Sequence, residues 1–544
     1  MRLSEAVGRA LVACGADHVF GLVGSGNFHV TNALVAAGAR FVPAVHEAGA
    51  AVMADAFARV CGRPAVLSLH QGPGVTNALT GVTEAAKSGT PLVVLAAEAP
   101  NPRSNFHVDL PSLATAVGAV FHRIHPEHAV DCVAGVWRTA SRGSGRTVVL
   151  GLPLDVQQHE VEFSPVLPLP VEVDPGTPDV AALLAALESA RRPVFIAGRG
   201  AARTPVESRV ALTRLAERCG ALLAVSAGAK GLFAGDPWYL DVAGGFATPL
   251  AAELIAESDL VVGWGSTLNM WTTRHGTLIH PDAVVAQVDL EPDALGVNRP
   301  VDVAVAGDVV AVADACAVAW GASVRTGRRT PSVRERVAAS GSWRTVSHVD
   351  DPEPGRIDPR TLSVALDAML PAARTVVVDS GNFMGYPAMF LDVPDAAGFC
   401  FTQAFQSIGL GLSSALGAAV SRPDRLTVAA LGDGGFLMSS AELATAVRLD
   451  LPLLVVVYDD AAYGAEVHHF GPDGHPLDTV TLPDTDLAAI ARGHGCAGVT
   501  VRDVADLDAV REWLDGPPRG VLVVDAKVDR RRGAWWLEEA FRGH

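Results

Sequence analysis

What is scarce in this chain narrows its class. Only 19% of its 544 residues are charged, while 49% are apolar, which is a globular composition and excludes a disordered chain. Positive charge is especially short. The formal net charge of −17 argues against a nucleic-acid backbone or an anionic membrane as the main partner, though it leaves room for a local anion pocket. The seven cysteines lie scattered at 14, 61, 132, 219, 316, 400 and 496, with no C-x-x-C pair. An odd, scattered set excludes a disulfide framework and a zinc site, and points to a reducing, cytoplasmic setting. No uncharged apolar run is long enough to span a bilayer. The opening MRLSEAVGRALVACGA carries Glu5 and Arg9 and reads as an amphipathic helix, not a signal peptide. There is no G-x-G-x-x-G fingerprint and no short-period repeat.

What is present is an alternation of short apolar runs with helical patterns. Runs such as VVLAAEA, TVVLGL, PVFIAG, LVVGWG, TVVVDS, LTVAALG, LLVVVYD and GVLVVDA predict fully buried parallel strands covered by helices on both faces. Two stretches interrupt the rhythm. Residues 164–180 are proline-rich, and residues 321–359 are polar and basic, then proline-rich; both read as linkers. They divide the chain into three doubly wound α/β domains, at 1–165, 180–320 and 357–535. The first and third share a pattern of strand, Gly-rich turn and helix, which suggests a duplicated unit.

In the third block, LTVAALGDGG reads as a buried strand running into a Gly-rich turn. A helix is predicted from Ser439, with Ser439 and Glu442 forming a capping box, and LLVVVYD as the next strand. Asp433 and Asp460 then both stand at carboxyl ends of strands, the edge where open α/β sheets bind ligands. Two carboxylates there repel each other unless a cation joins them. Mg²⁺ accepts a few protein oxygens and fills its other positions with phosphate or water. Glycines at 432, 434 and 435 let backbone N–H groups approach an anion. The economical reading is a Mg²⁺-bridged diphosphate, although a Gly-Asp-Gly tripeptide alone is a weak signal and a common strand–helix turn.

The whole segment, with 27 positions from Asp433 to Asp460, resembles the signature of thiamine-diphosphate enzymes. In the first block the order VFGLVGSGN, HEAGAAVMADAFAR, GPGVTN and TPLVV resembles the pyrimidine-binding domain of acetolactate-synthase-type members of that family. The resemblance spans nearly the whole chain in the family's order. It implies that Asp433, Asp460 and the Ala462 carbonyl hold Mg²⁺. Gly432, Gly434, Gly435, Ser380, Gly381, Asn382, Gln406 and Tyr463 would contact the cofactor, and Ile408 would bend it. Glu47 would hydrogen-bond the aminopyrimidine, best from an apolar pocket that raises its pKa; taken alone it reads as a helix N-terminal acid. Asp459-Asp460 departs from the family's Asn-Asn and adds negative charge beside a diphosphate.

The same resemblance implies decarboxylation of a 2-oxo acid, followed by protonation, oxidation or transfer to a carbonyl acceptor. It also implies a homodimer at minimum, with tetramers common, because sites form between the first block of one subunit and the third of another. His70 and Gln71 stand where acetolactate synthases carry small hydroxyl residues; together with Ser25 they look more like benzoylformate decarboxylase. Phe106-His107 replaces Phe-Gln. Glu466 stands where pyruvate decarboxylases place a catalytic glutamate. These groups predict proton transfer by His70, Gln71, Glu466, Ser25 and His107, while His468 and His469 read as polar residues at a domain edge. The preferred expectation is a decarboxylase or carboligase transferring an acyl-anion equivalent. The alternatives are a simple decarboxylase, a flavin-dependent pyruvate-oxidase-like enzyme and an inactive paralogue. FAD in the central block is the less expected outcome without the dinucleotide fingerprint.

Overall fold

The structure, a computed structural model, describes residues 1–163, 178–516 and 520–540. The first predicted linker, 164–180, lies outside the described residues except for its last three. Among the described residues, eighteen parallel strands form three six-stranded sheets. The first contains β1 (His18–Gly21), β2 (Arg40–Pro43), β3 (Ala65–Leu69), β4 (Leu92–Glu98), β5 (Val120–Arg123) and β6 (Thr147–Pro153). The second contains β7 (Pro193–Ala197), β8 (Leu222–Val225), β9 (Tyr239–Val242), β10 (Leu260–Trp264), β11 (Val284–Asp289) and β12 (Val303–Ala306). The third contains β13 (Arg374–Val378), β14 (Phe399–Phe401), β15 (Leu426–Gly432), β16 (Leu453–Asp459), β17 (Ala497–Val501) and β18 (Val521–Lys527). The apolar runs are buried as their composition requires: every residue of β3, β4, β7, β10, β13, β16 and β18 is buried.

Strand order separates the units. The first sheet runs β2-β1-β3-β4-β6-β5 and the third β14-β13-β15-β16-β18-β17, the same order counted from each sheet's first strand. The central sheet runs β12-β11-β10-β7-β8-β9, a different winding. The likeness between first and third blocks is therefore topological. The two units also pack together within one chain. The helix Glu47–Cys61 lies against Gly411–Ser421, and one apolar core joins residues of both. Gly417 is the point of closest approach: a Cβ there would stand 2.1 Å from the Met53 carbonyl oxygen.

The second predicted linker is more ordered than its composition suggests. Within it, Pro331–Ser340 forms a helix capped by Thr330, and Val333 and Val337 join the core beside the central sheet. Its two valines are four apart, enough for one narrow apolar stripe on an otherwise polar helix. No described helix is long and apolar enough to cross a membrane.

Candidate active site

All strands of a parallel sheet end on one edge. In the third sheet the chain passes from β13 outward to β14, then returns to β15 on the other side, so a crevice opens between β13 and β15. Asp379, Asp433 and Asp460 each follow the last residue of a strand there, β13, β15 and β16. A cavity of about 280 Å³ opens at this edge. Its wall brings together Ser380, Gly381, Asn382, Gln406, Ile408, Gly432, Asp433, Gly434, Gly435, Asp460, Ala462, Tyr463 and Glu466.

The helix after β15 corrects the expected capping box. It starts at Asp433, directly after the strand, and runs to Ser439. Ser439 caps nothing; its hydroxyl donates back to the Gly435 carbonyl at 2.8 Å. Glu442 leaves its own helix and accepts hydrogen bonds from the backbone N–H of Val45 (3.1 Å) and His46 (3.0 Å) in the first unit. A carboxylate serves the two tertiary donors better than one N-cap, because both would otherwise be unsatisfied at a packed interface.

The acids of the crevice are electrostatically loaded. Burial pushes the Asp433 carboxyl up to about 8, and the nearby Asp460 and Asp459 add to it. Burial likewise pushes Asp460 up to about 7, against a hydrogen bond from Asn382. Among the described residues, no lysine or arginine forms an ion pair with either. The Ala462 N–H donates to Asp433 Oδ2 at 3.1 Å, tying the two strand ends together. Two non-glycine residues in the left-handed region flank the cavity, Gln406 (φ 62°) and Ala461 (φ 56°), local strain of the kind held at binding sites.

Asp379 was not singled out from sequence. It is fully buried, and burial pushes it up to about 6 even though its carboxylate accepts N–H bonds from Ser380 (2.9 Å), Gly409 (2.9 Å) and Leu410 (3.2 Å). It thereby clamps the turn after β13 to the segment carrying Gln406 and Ile408. The only hint was its place as first residue of DSGNF at a strand end. Asp459 also differs from expectation. Its carboxylate turns away from the cavity to Lys527 Nζ at 2.5 Å, and both side chains are buried.

The first unit gathers the remaining predicted residues around its own switch point, between β1 and β3. Glu47 opens the helix Glu47–Cys61, whose N-cap His46 accepts the Ala48 N–H. The Glu47 carboxylate accepts a hydrogen bond from Asn77 Nδ2 at 3.1 Å, a partner the sequence did not reveal. His70 Nδ1 lies 2.8 Å from the Gln71 carbonyl oxygen, which can only accept. That fixes the proton on Nδ1 in the neutral ring and leaves Nε2 toward the Ser25 hydroxyl at 3.3 Å. Glu47 and His70 both border Gly74. Gln71 is buried with an unpartnered Oε1. The Phe106 ring stands edge-on to His70, and His107 Nδ1 donates to the Ala99 carbonyl at 3.1 Å. None of Ser25, Glu47, His70, Gln71 and His107 lines the acidic cavity of its own chain.

A second cavity, of about 810 Å³, lies at the switch point of the central sheet between β7 and β10. Arg59, Lys87, Arg199 and Arg203 face it, with Gly198 and Gly200 packed so tightly on Gly265 that neither has room for a side chain. Burial, with Arg59 nearby, lowers Arg199 to about 10.

Comparison with known proteins decides the class. Family models match three successive parts of the chain: the thiamine pyrophosphate enzyme N-terminal TPP binding domain at residues 1–120, the central domain at 180–316 and the C-terminal TPP binding domain at 379–526. The chain belongs to the thiamine pyrophosphate enzyme family. Within it the chain is acetolactate-synthase-like. It is 29% identical to a sulfoacetaldehyde acetyltransferase of Alcaligenes xylosoxydans xylosoxydans, over 95% of this chain and 90% of the relative. It is 29% identical to a probable 2-ketoarginine decarboxylase of Pseudomonas aeruginosa, over 94% and 90%. A probable acetolactate synthase large subunit of Methanocaldococcus jannaschii is 27% identical, over 85% and 81%.

The acidic cavity fits this family's cofactor. Asn382 lines the space, and its Oδ1 is buried without a hydrogen-bond partner. Gly464 has no room for a Cβ, which would stand 2.2 Å from Asp460 Oδ2, so backbone approaches the acids closely. Two mutually repelling carboxylates suit a divalent cation, and the glycines beside them suit a diphosphate.

Proposed function

We propose that this thiamine pyrophosphate enzyme decarboxylates a 2-oxo acid and transfers the resulting acyl-anion equivalent to a carbonyl acceptor. The observation that carries the reading is the buried Asp433–Asp460 pair at adjacent strand ends, both pushed up by burial and, among the described residues, ion-paired to no lysine or arginine. In this reading Asp433, Asp460 and the Ala462 carbonyl hold Mg²⁺. Ser380, Gly381, Asn382, Gly432, Gly434 and Gly435 surround the diphosphate, with Gln406 and Tyr463 beside it and Ile408 as an apolar wall. Thiamine diphosphate supplies a nucleophilic carbon and an electron sink when bound.

Glu47, oriented by Asn77, holds the proton at the aminopyrimidine nitrogen. The pair Ser25–His70 is built to move a proton at the substrate carbonyl, since the Gln71 carbonyl fixes the ring tautomer. In this reading Gln71 and His107 act with that pair, and Glu466 acts from the cofactor cavity that it lines. Glu47 and the acidic cavity do not meet within one chain, and exposed Phe28, Val45, Phe405, Leu437 and Met438 surround these two regions. Both features support a homodimer that completes each site across its interface, with a tetramer as a further assembly. The same Ser25–His70 geometry favours a second reading, protonation of the bound fragment and release of an aldehyde. We further propose that the reaction runs without FAD, because the central unit lacks the dinucleotide fingerprint.

Calorimetry of thiamine diphosphate on metal-stripped protein, with and without Mg²⁺, tests the reading. Tight binding that requires Mg²⁺ is expected, followed by CO₂ release from a panel of 2-oxo acids. Failure to bind under either condition would sink it. A yellow purified protein with oxygen uptake would favour the flavin oxidase instead. CO₂ release with free aldehyde and no coupled product would select the second reading.

A further inference from the structure

The Asp459-Asp460 pair carries two acids where the family signature has the neutral Asn-Asn. The fold shows how that charge is handled. Asp459 and Lys527 are the last residues of β16 and β18 and are direct partners in the parallel register. Neighbours in register share a face, so their side chains meet; Asp460, one residue on, turns the other way into the cavity. Lys527 is only 2% exposed. Its ammonium reaches Asp459 Oδ2 (2.5 Å), the Thr485 carbonyl (2.7 Å), Asp484 Oδ1 (2.9 Å) and Asp525 Oδ2 (3.2 Å). The other oxygen of Asp459 accepts the Ala461 N–H at 2.9 Å. That bond holds the left-handed Ala461 whose turn delivers Ala462 to the cavity. From the other side the Arg356 guanidinium grips the carbonyls of Asp459 (3.1 Å) and Val528 (3.0 Å).

We propose that Lys527 is the positioning residue of the cofactor site: it pairs with Asp459 and holds that carboxylate off the cavity, so that Asp460 alone of the adjacent pair meets the cation and less negative charge faces the diphosphate. The proposal rests on the Mg²⁺–diphosphate reading of the cavity. Its sign is specific. An unpaired Asp459 attracts a bare cation but repels an anionic cofactor, whereas a damaged fold weakens both. One uncompensated charge beside a partly buried site is worth roughly a ten- to hundredfold change in affinity.

The test compares the native chain with Lys527→Met, Asp459→Asn and the double variant. Calorimetry is run with thiamine diphosphate at saturating Mg²⁺, and separately with Mg²⁺ alone. Lys527→Met is expected to bind the cofactor at least about tenfold more weakly, yet Mg²⁺ alone as tightly as the native chain or tighter. Asp459→Asn keeps an oxygen for Ala461 and is expected to stay within about threefold of native, and the double variant to return to that range. Should Lys527→Met fail to fold, the other two variants still decide. Loss of more than about tenfold in Asp459→Asn would show that the Asp459 charge serves the ligand and would overturn the proposal. So would a double variant no better than Lys527→Met, or parallel weakening of Mg²⁺ and cofactor. No binding by the native chain would overturn the cofactor reading itself, and the proposal with it.

Discussion

Replacing Glu442 by glutamine should loosen the segment that carries Glu47, 395 positions away in sequence. Glu442 is 3% exposed and sits between the two like sheets. Its carboxylate accepts N–H bonds from Val45 (3.1 and 3.2 Å to its two oxygens) and His46 (3.0 Å), and a hydroxyl bond from Thr445 (2.7 Å). Hydrogen bonds to a charged acceptor contribute about 1.5–3 kcal/mol each. Glutamine keeps one acceptor oxygen but loses the charge, and its NH₂ faces a donor. A local loss of about 2 kcal/mol is the expected net effect, or roughly thirtyfold in the opening equilibrium of residues 45–46. Global melting is a poor readout, since a chain of three units need not unfold in two states. Hydrogen exchange resolved to peptides spanning residues 40–50 reads the segment directly. Unchanged exchange there would refute the inter-unit clamp, whatever happened to activity. If exchange accelerates as expected, turnover should fall with it, because the Glu47 carboxylate loses its fixed position against Asn77.

Other expectations concern the two halves of the site. Glu47→Gln should lower turnover by at least about a hundredfold while leaving Mg²⁺-dependent cofactor binding intact; full activity would refute its proton-holding role. Metal-free protein should lose stability as pH rises from about 4 to about 8. The raised carboxyls of Asp379, Asp460 and Asp433, near 6, 7 and 8, hold protons in the folded state that the unfolded chain has already released, so folding is favoured at low pH and the gain disappears as they ionise. Melting scans with chelator should show this fall, and Mg²⁺ with thiamine diphosphate should flatten it; a rise with pH in the chelated protein would contradict the sign. Gly24→Ala should displace His70, because the new methyl would stand 2.2 Å from its Cδ2. Turnover is expected to fall about tenfold or more with a changed pH profile and unaltered cofactor affinity, and an unchanged profile would remove His70 from proton transfer.

Much of this was legible in the chain before its structure. Strand runs such as LLVVVYD announce parallel sheets because burial on both faces leaves no alternation. The acids at 433 and 460 announce themselves through spacing. What sequence did not disclose are partners brought in by tertiary contact. Glu442 stood in good register for a local capping box, and only packing of the first unit on the third gave its carboxylate two better donors. Asp379 is marked in the sequence only by its place at a strand end, yet it organises the segment carrying Gln406 and Ile408. Asn77 lies thirty positions from Glu47, on the next helix, Pro73–Lys87, beyond β3. Lys527 is a lone basic residue at the end of an apolar strand. Its meaning depends on the register between β16 and β18, which no local pattern encodes.

The shared strand order of the first and third sheets gives the placement of Glu47 a physical reason. Each sheet has one switch point, between its first and third strands, and each switch point gathers one half of the predicted chemistry. One half is acidic, rich in glycine and suited to a metal-held diphosphate. The other carries Glu47 beside Ser25 and His70 and has no acid cluster of its own. Within a chain the two sheets meet through the helices Glu47–Cys61 and Gly411–Ser421, packed closely at Gly417, and none of Ser25, Glu47 and His70 lines the acidic cavity. A cofactor with a diphosphate at one end and an aminopyrimidine at the other needs both. The proposed homodimer would supply the second half from another copy of the chain, which would cover the exposed apolar side chains Phe28, Phe405, Leu437 and Met438. Sedimentation of the native protein at micromolar concentration should therefore show a dimer or larger. Mixing Glu47→Gln with Asp433→Asn chains should restore part of the activity that each lacks alone, because one of the two sites in a mixed dimer carries neither substitution. A fully active monomer would refute the shared site.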